Sequence, residues 1–190
     1  MNAAEMVTAL KQKFGEAVLS TVEFRGEHTV NVTLASLKQI LRYGRDELRF
    51  DYLVDVSSLD NLGEEPRFEM VYELYGYSHN QHLRVKAKVA EDASMPTVSD
   101  LWATADWHER EVYDMMGIDF EGHPDLRRIL MWDGFPFFPL RKDFPLEGKS
   151  SDMPDVAFSG VAPMADGPFV TSPGARDSVN GEPRSRKPLN

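Results

Sequence analysis

Two histidines and several carboxylates share one short stretch of this 190-residue chain, residues 108–123, reading HEREVYDMMGIDFEGH. Such a cluster raises metal chemistry first. His108 and Glu111 fall three residues apart and so on one helix face, but a di-iron bundle needs such a pair twice plus two further carboxylates. The zinc-protease pattern H-E-x-x-H fails because residue 112 is valine. Two readings stay open: a metal-dependent enzyme using His108, Glu111, Asp114 and His123, or an ion-paired, solvated helix face. Nucleophilic chemistry has less to work with, since no G-x-S-x-G elbow occurs and Ser159-Gly160 falls in a Pro- and Gly-rich tail. Nucleotide chemistry has no loop to cradle phosphates: the glycines never form G-x-G-x-x-G, and Gly117 with Gly122 leads to His123 rather than Lys-Ser/Thr.

Charge is densest just beyond that stretch, where His123-Pro124-Asp125-Leu126-Arg127-Arg128 runs into apolar Ile129-Leu130-Met131. Guanidinium forks beside carboxylates make bidentate, geometrically fixed pairs. Arg127 and Arg128 can pair with Glu109, Glu111 or Asp114 of the same chain, or across an interface with another. Trp132, Phe135, Phe137, Phe138 and Phe144 then crowd one segment with Pro136 and Pro139. Prolines deny it the ladder of a central strand or helix interior, so a loop is predicted. Aromatic side chains rimmed by Arg141, Lys142 and Asp143 suit a partner-binding surface.

The elements that must position these residues are legible by period. Residues 5–14 read as a helix ending at Gly15, residues 18–24 as a strand, and Gly26-Glu27 as a turn into a second strand over 28–33. Leu37, Ile40, Leu41 and Leu48 mark a helix with Gly44 as its weak point. A strand is predicted over 50–56, and residues 67–75 and 81–90 alternate as a hairpin with one wet face. After Pro96, Thr97 is placed to cap a helix with Asp100 at its third position, its apolar stripe running from Val98 to Met116 before Gly117. This order predicts an α+β domain: a mostly antiparallel sheet with helices on one face, followed by an extended C-terminal arm.

Composition sets outer bounds. Net charge is −10 at pH 7, the wrong sign for tracking nucleic-acid phosphates. Cysteine is absent, which removes disulfides, thiolate nucleophiles and any iron–sulfur cluster held by this chain's own thiolates. No apolar run approaches the roughly 18 residues of a spanning helix, and the first ten residues lack a signal-peptide pattern, so direct membrane insertion and secretion are not expected. Eleven of the 45 residues from Leu146 onward are Pro or Gly. Three segments result: an α+β domain over 1–122, a charged and aromatic loop segment over 123–148, and an extended tail over 149–190. In that tail Met153, Phe158 and Phe169 are among the apolar groups that suggest an arm laid over other subunits.

Glu109-Arg110-Glu111, Tyr113-Asp114-Met115, Gly117-Ile118, Gly122 through Leu130 and Pro139 through Leu146 together resemble the signature of the C-type subunit of bacterial NADH:quinone oxidoreductase, the 30-kDa-type subunit of respiratory complex I. Phe137-Phe138 stands where many relatives carry Gly-His. The resemblance implies a non-catalytic structural subunit of the peripheral arm, on the cytoplasmic face of the plasma membrane. It implies no catalytic, cofactor or metal residue on this chain, with FMN and iron–sulfur clusters held elsewhere in a complex that passes electrons from NADH to quinone. Its neighbours would be the quinone-site D-type and the cluster-bearing B-type and I-type subunits. Contacts to them are expected from Glu109, Arg110 and Glu111, from His123, Asp125, Arg127 and Arg128, from Phe137 and Phe138, and from Arg141, Lys142 and Asp143. A homologous subunit of a membrane-bound hydrogenase or another dehydrogenase is the alternative within the same resemblance.

Overall fold

The computed structural model describes residues 2–132, 134–146 and 148. The tail expected over 149–190 lies outside the described residues.

Helix α1 (Ala3–Phe14) starts at a capping box in which the Asn2 side chain accepts the Glu5 amide while Glu5 accepts the Asn2 amide. It buries Met6, Val7 and Leu10. Strands β1 (Val18–Phe24) and β2 (Glu27–Val32) form a hairpin through Arg25-Gly26, both at positive φ, the geometry a two-residue turn requires. Helix α2 (Leu34–Asp46) then crosses the sheet and buries Leu37, Ile40 and Leu41. Gly44 does not break it. That position is buried, and a Cβ there would meet Leu74 and Phe50 at ordinary contact distance.

Strands β3 (Tyr52–Asp60), β4 (Phe68–Gly76) and β5 (Gln81–Val89) follow as an antiparallel meander. The order in the sheet is β1-β2-β5-β4-β3. Because α2 carries the chain to the far edge before the meander returns, β5 ends up beside β2, and that pair alone in this sheet is parallel. One face carries Phe68, Met70, Tyr72 and Leu74 of β4 beside Leu83, Val85, Ala87 and Val89 of β5, all buried in a core shared with the helices. The other face is wet, with Glu69 bound to Lys86, and Glu73 and Glu27 to Arg84. The mostly antiparallel α+β arrangement expected from the alternation is the one observed.

The segment after Pro96 differs from expectation. Short strands β6 (Met95–Pro96) and β7 (Phe120–Glu121) pair in parallel, and helix α3 runs only over Ala105–Met116. Thr97 caps no helix here. Its hydroxyl lies 2.5 Å from a Glu109 carboxylate oxygen and the Val98 amide donates to the other at 2.7 Å, while Asp100 binds Lys38 of α2 at 2.9 Å. A cap-type bond does form, from the Ser99 amide to Thr97 Oγ1 at 3.1 Å, and the Trp102 amide reaches the Val98 carbonyl at 3.1 Å, but this turn extends no further and the Asp100 side chain is held by α2 instead of closing back on Thr97. α3 ends at Gly117 in the left-handed conformation, as its sequence suggests.

Candidate functional site

The signature charges converge on the C-terminal end of α3, where a helix leaves carbonyls without partners inside the helix. The loop that follows supplies those partners. Arg128 donates to the Asp114 carbonyl at 3.0 Å, the Leu140 amide to the Met115 carbonyl at 3.1 Å, and Arg141 Nε to the Met116 carbonyl at 2.6 Å. Two cations at this terminus also complement the helix dipole.

Asp114 is the centre of the arrangement. Its side chain is fully buried; Oδ1 accepts Arg128 Nη1 at 2.6 Å, and Oδ2 accepts the amides of Ile129, Leu130 and Met131 at 3.0, 2.7 and 2.8 Å. Burial pushes its carboxyl up, but the three amides and the guanidinium more than offset that and hold it below the usual carboxylate range. The Arg128 guanidinium stands 5.1 Å from the Phe138 ring centre and 5.8 Å from that of Phe135, and donates to the Phe137 carbonyl at 3.2 Å. Phe138 also lies 4.7 Å from the Arg141 guanidinium, so this ring is gripped between two cations.

A second node ties the loop to the sheet. Arg67, just before β4, makes a bidentate pair with Asp60 at the end of β3, both bonds 2.8 Å, and reaches Asp143 at 3.0 Å. Asp60 Oδ2 also accepts the Lys142 amide at 2.8 Å. Glu91 bridges Arg67 and Arg141, at 3.0 and 2.7 Å. The hydrogen bonds from Arg67 hold Asp60 below its ordinary range, and Asp60 in turn raises the guanidinium.

The third node is Glu109. Fully buried, it is fixed by Thr97 and Val98, and its Oε2 lies 3.9 Å from His123 Nε2. Burial raises its carboxyl, and the two hydrogen bonds and His123 offset this only in part. Tyr72, whose buried hydroxyl has no hydrogen-bond partner among the described residues, is likewise raised by burial and then by Glu109. The His123 side chain is fully buried too; Nδ1 accepts the Asp125 amide at 3.1 Å, which leaves Nε2 to donate to the Asp106 carbonyl at 3.1 Å.

Arg127 and Arg128 therefore part ways. Arg128 takes Asp114, while among the described residues the Arg127 side chain reaches only Asp125 two residues away, at 2.9 Å, and remains largely exposed. Neither pairs with Glu109 or Glu111. Arg110 is buried, donates to the Arg127 carbonyl at 3.2 Å and stacks 5.0 Å from Trp107, while Glu111 faces solvent. The aromatic loop packs on itself: Phe135 touches Trp132 at 4.7 Å and Phe137 at 5.6 Å, and Phe137 touches Phe144 at 5.8 Å between ring centres. The metal set is not assembled. His108 pairs with Asp55 at 3.0 Å, His123 is turned to Asp106, and among the described residues no group of three or more His, Asp or Glu is placed to hold an ion.

Asp60, Arg67, Glu91 and Thr97 carry much of the site; no local motif marks the first three, and Thr97 stands out in the sequence only as a helix cap. Their roles come from partners on other segments: Asp60 and Arg67 meet Lys142 and Asp143, Glu91 meets Arg141, and Thr97 meets Glu109.

Residues 30–150 match the family described as respiratory-chain NADH dehydrogenase, 30 Kd subunit. The C-type subunit of the NADH-quinone oxidoreductase of Citrifermentans bemidjiense is 48% identical over 143 residues, which cover 75% of this chain and 89% of that one. A C-type subunit of the NADH-quinone oxidoreductase of Rhizobium meliloti is 42% identical over 159 residues, covering 83% and 87%. Among solved structures, a chain of the membrane-bound sulfane sulfur reductase, an archaeal respiratory membrane complex, aligns with a TM-score of 0.66 at 26% identity. That alignment covers 75% of this chain and 85% of the other.

Proposed function

Since this chain belongs to the 30-kDa subunit family of respiratory-chain NADH dehydrogenase, we propose that it is a non-catalytic subunit of the peripheral arm of an NADH:quinone oxidoreductase. It gives shape and contact surface to neighbours that carry the FMN, the iron–sulfur clusters and the quinone site, on the cytoplasmic face of the plasma membrane. The observation that carries this reading is the fate of the signature charges. Asp114, Arg128 and Arg141 are taken up by bonds inside the chain that clamp a loop onto the end of α3, and Glu109 is taken up by Thr97 and the Val98 amide. A catalyst needs groups in reach of a reacting atom. The absence of cysteine adds that no cluster can be held by thiolates of this chain. Among the described residues no helix is long and apolar enough to cross a membrane, so attachment would run through partner subunits.

Affinity purification of the tagged chain from native membranes tests this. The expected preparation contains flavin- and cluster-bearing subunits and oxidises NADH with quinone, while the isolated chain shows no flavin or iron absorbance. A solitary chain that turns over substrate or carries a chromophore would overturn the proposal. The likeness to a chain of the sulfane sulfur reductase complex supports a second reading, a related respiratory membrane complex. Cluster-bearing partners that fail to oxidise NADH would favour it.

A further inference from the structure

Between β3 and α3, beside the loop contacts at the end of α3, lies a cleft of ≈ 140 Å³. Its buried floor is apolar, from Val56, Val112 and Met115, the exposed Leu140 and the serines Ser57 and Ser58 also line it, and Asp55 and Glu111 bring carboxylates to the lining. Sites for small molecules run about 300–1,000 Å³, so this cleft is small for one. One long side chain fits. The two carboxylates are available to differing degrees: Asp55 gives one oxygen to His108 at 3.0 Å, and Glu111, which is exposed, makes no hydrogen bond or ion pair among the described residues.

An apolar floor under a negative rim is complementary to a side chain with an aliphatic stem and a cationic head, which describes arginine and lysine. β3 is also an edge strand of the sheet, and Val54 and Leu59 along it are 40% and 46% exposed. Among the described residues no strand pairs with the outer side of β3, so a segment running beside it would find backbone groups as well as the cleft. We propose that this cleft receives an arginine or lysine presented by an extended segment of a partner subunit, a contact that rests on the reading of the chain as a subunit of a larger assembly.

The test uses the full-length chain in its native membranes, with Glu111→Gln and Glu111→Lys. Glu111 has no partner among the described residues, so both isolated variants should melt as the wild type does. Retention in the purified complex should fall about tenfold for Glu111→Lys and less for Glu111→Gln, with the Gln deficit shrinking as salt screens the wild-type contact. Equal retention of wild type and Glu111→Lys, in preparations where the wild type does bring down cluster-bearing partners, would overturn the cleft contact and leave the proposed function standing. A wild type that brings down no partner would overturn both. Exchanging Arg176, Arg184, Arg186 and Lys187 for glutamine in the full chain distinguishes the occupant. A loss matching that of Glu111→Lys would assign the cleft to this chain's own C-terminal segment and overturn a partner origin; unchanged retention supports it.

Discussion

Asp114 and Arg128, fourteen residues apart, close on each other at 2.6 Å with the aspartate fully buried and three consecutive backbone amides on its second oxygen. The bond joins the last turn of α3 to the loop that follows. A desolvated pair of this kind leaves an uncompensated charge behind if either member is removed.

Arg128→Ala is therefore expected to destabilise the isolated chain by ~3–5 kcal/mol, read as a lower urea midpoint. Arg127→Ala should leave that midpoint unchanged, because its guanidinium is exposed and among the described residues bonds only to the nearby Asp125. Equal midpoints for the two variants would contradict the division of roles between these adjacent arginines.

The pH response has two opposing parts. Asp114 and Asp60 are held below their ordinary value of 3.8 in the folded chain, so the unfolded chain takes up their protons first. Their contribution is full above that value and is lost as pH falls through the folded values. Glu109 runs the other way: its folded carboxyl is raised above 4.5, so stability declines as pH climbs from there toward the raised value. Melting temperatures across this range should show a shallower acid limb in Asp114→Asn. They should also show the loss of the declining limb in Glu109→Gln.

The Asp60–Arg67 fork holds the loop against the sheet through the Lys142 amide. Lysine cannot reproduce its two parallel bonds. Arg67→Lys should lower hydrogen-exchange protection at the Lys142 amide by about tenfold, the value of one modest charge-assisted bond, while amides in the middle of β4 and β5 stay protected. Unchanged protection at Lys142 would show that the fork does not anchor the loop.

Gly117 combines a φ of 73° with a close approach: a Cβ there would stand 2.6 Å from the Phe138 ring. Gly117→Ala should cost ~1–3 kcal/mol. Adding Phe138→Ala removes the clash but not the strained φ, so the double variant should lose less than the sum of the two single losses when denaturation midpoints are compared.

Much of this fold is open to a reader of the sequence. Alternation at Leu83, Val85, Ala87 and Val89 against His82, Arg84, Lys86 and Lys88 places β5 and its two faces, because a strand's side chains alternate whatever surrounds it. Likewise Gly117 marks the end of α3, and the signature around Asp114 and Arg128 marks where the charges gather. The alternation cannot say that β2 lies parallel to β5, nor that residues 97–104 decline the helix their caps and apolar spacing favour. Both depend on what the chain brings alongside.

Partner choice is the sharpest case. Asp114 and Glu109 lie five residues apart in one helix and look alike in sequence, yet one collects a guanidinium and three amides, and the other a threonine, one amide and a buried histidine. Asp60 meets the Lys142 amide across 82 residues of chain. Local period and propensity arise from the backbone itself, and so they can be read along the chain. Which carboxylate meets which donor follows from where the packed sheet and helices bring distant segments together, and burial then decides whether that carboxyl is held below or above its ordinary range.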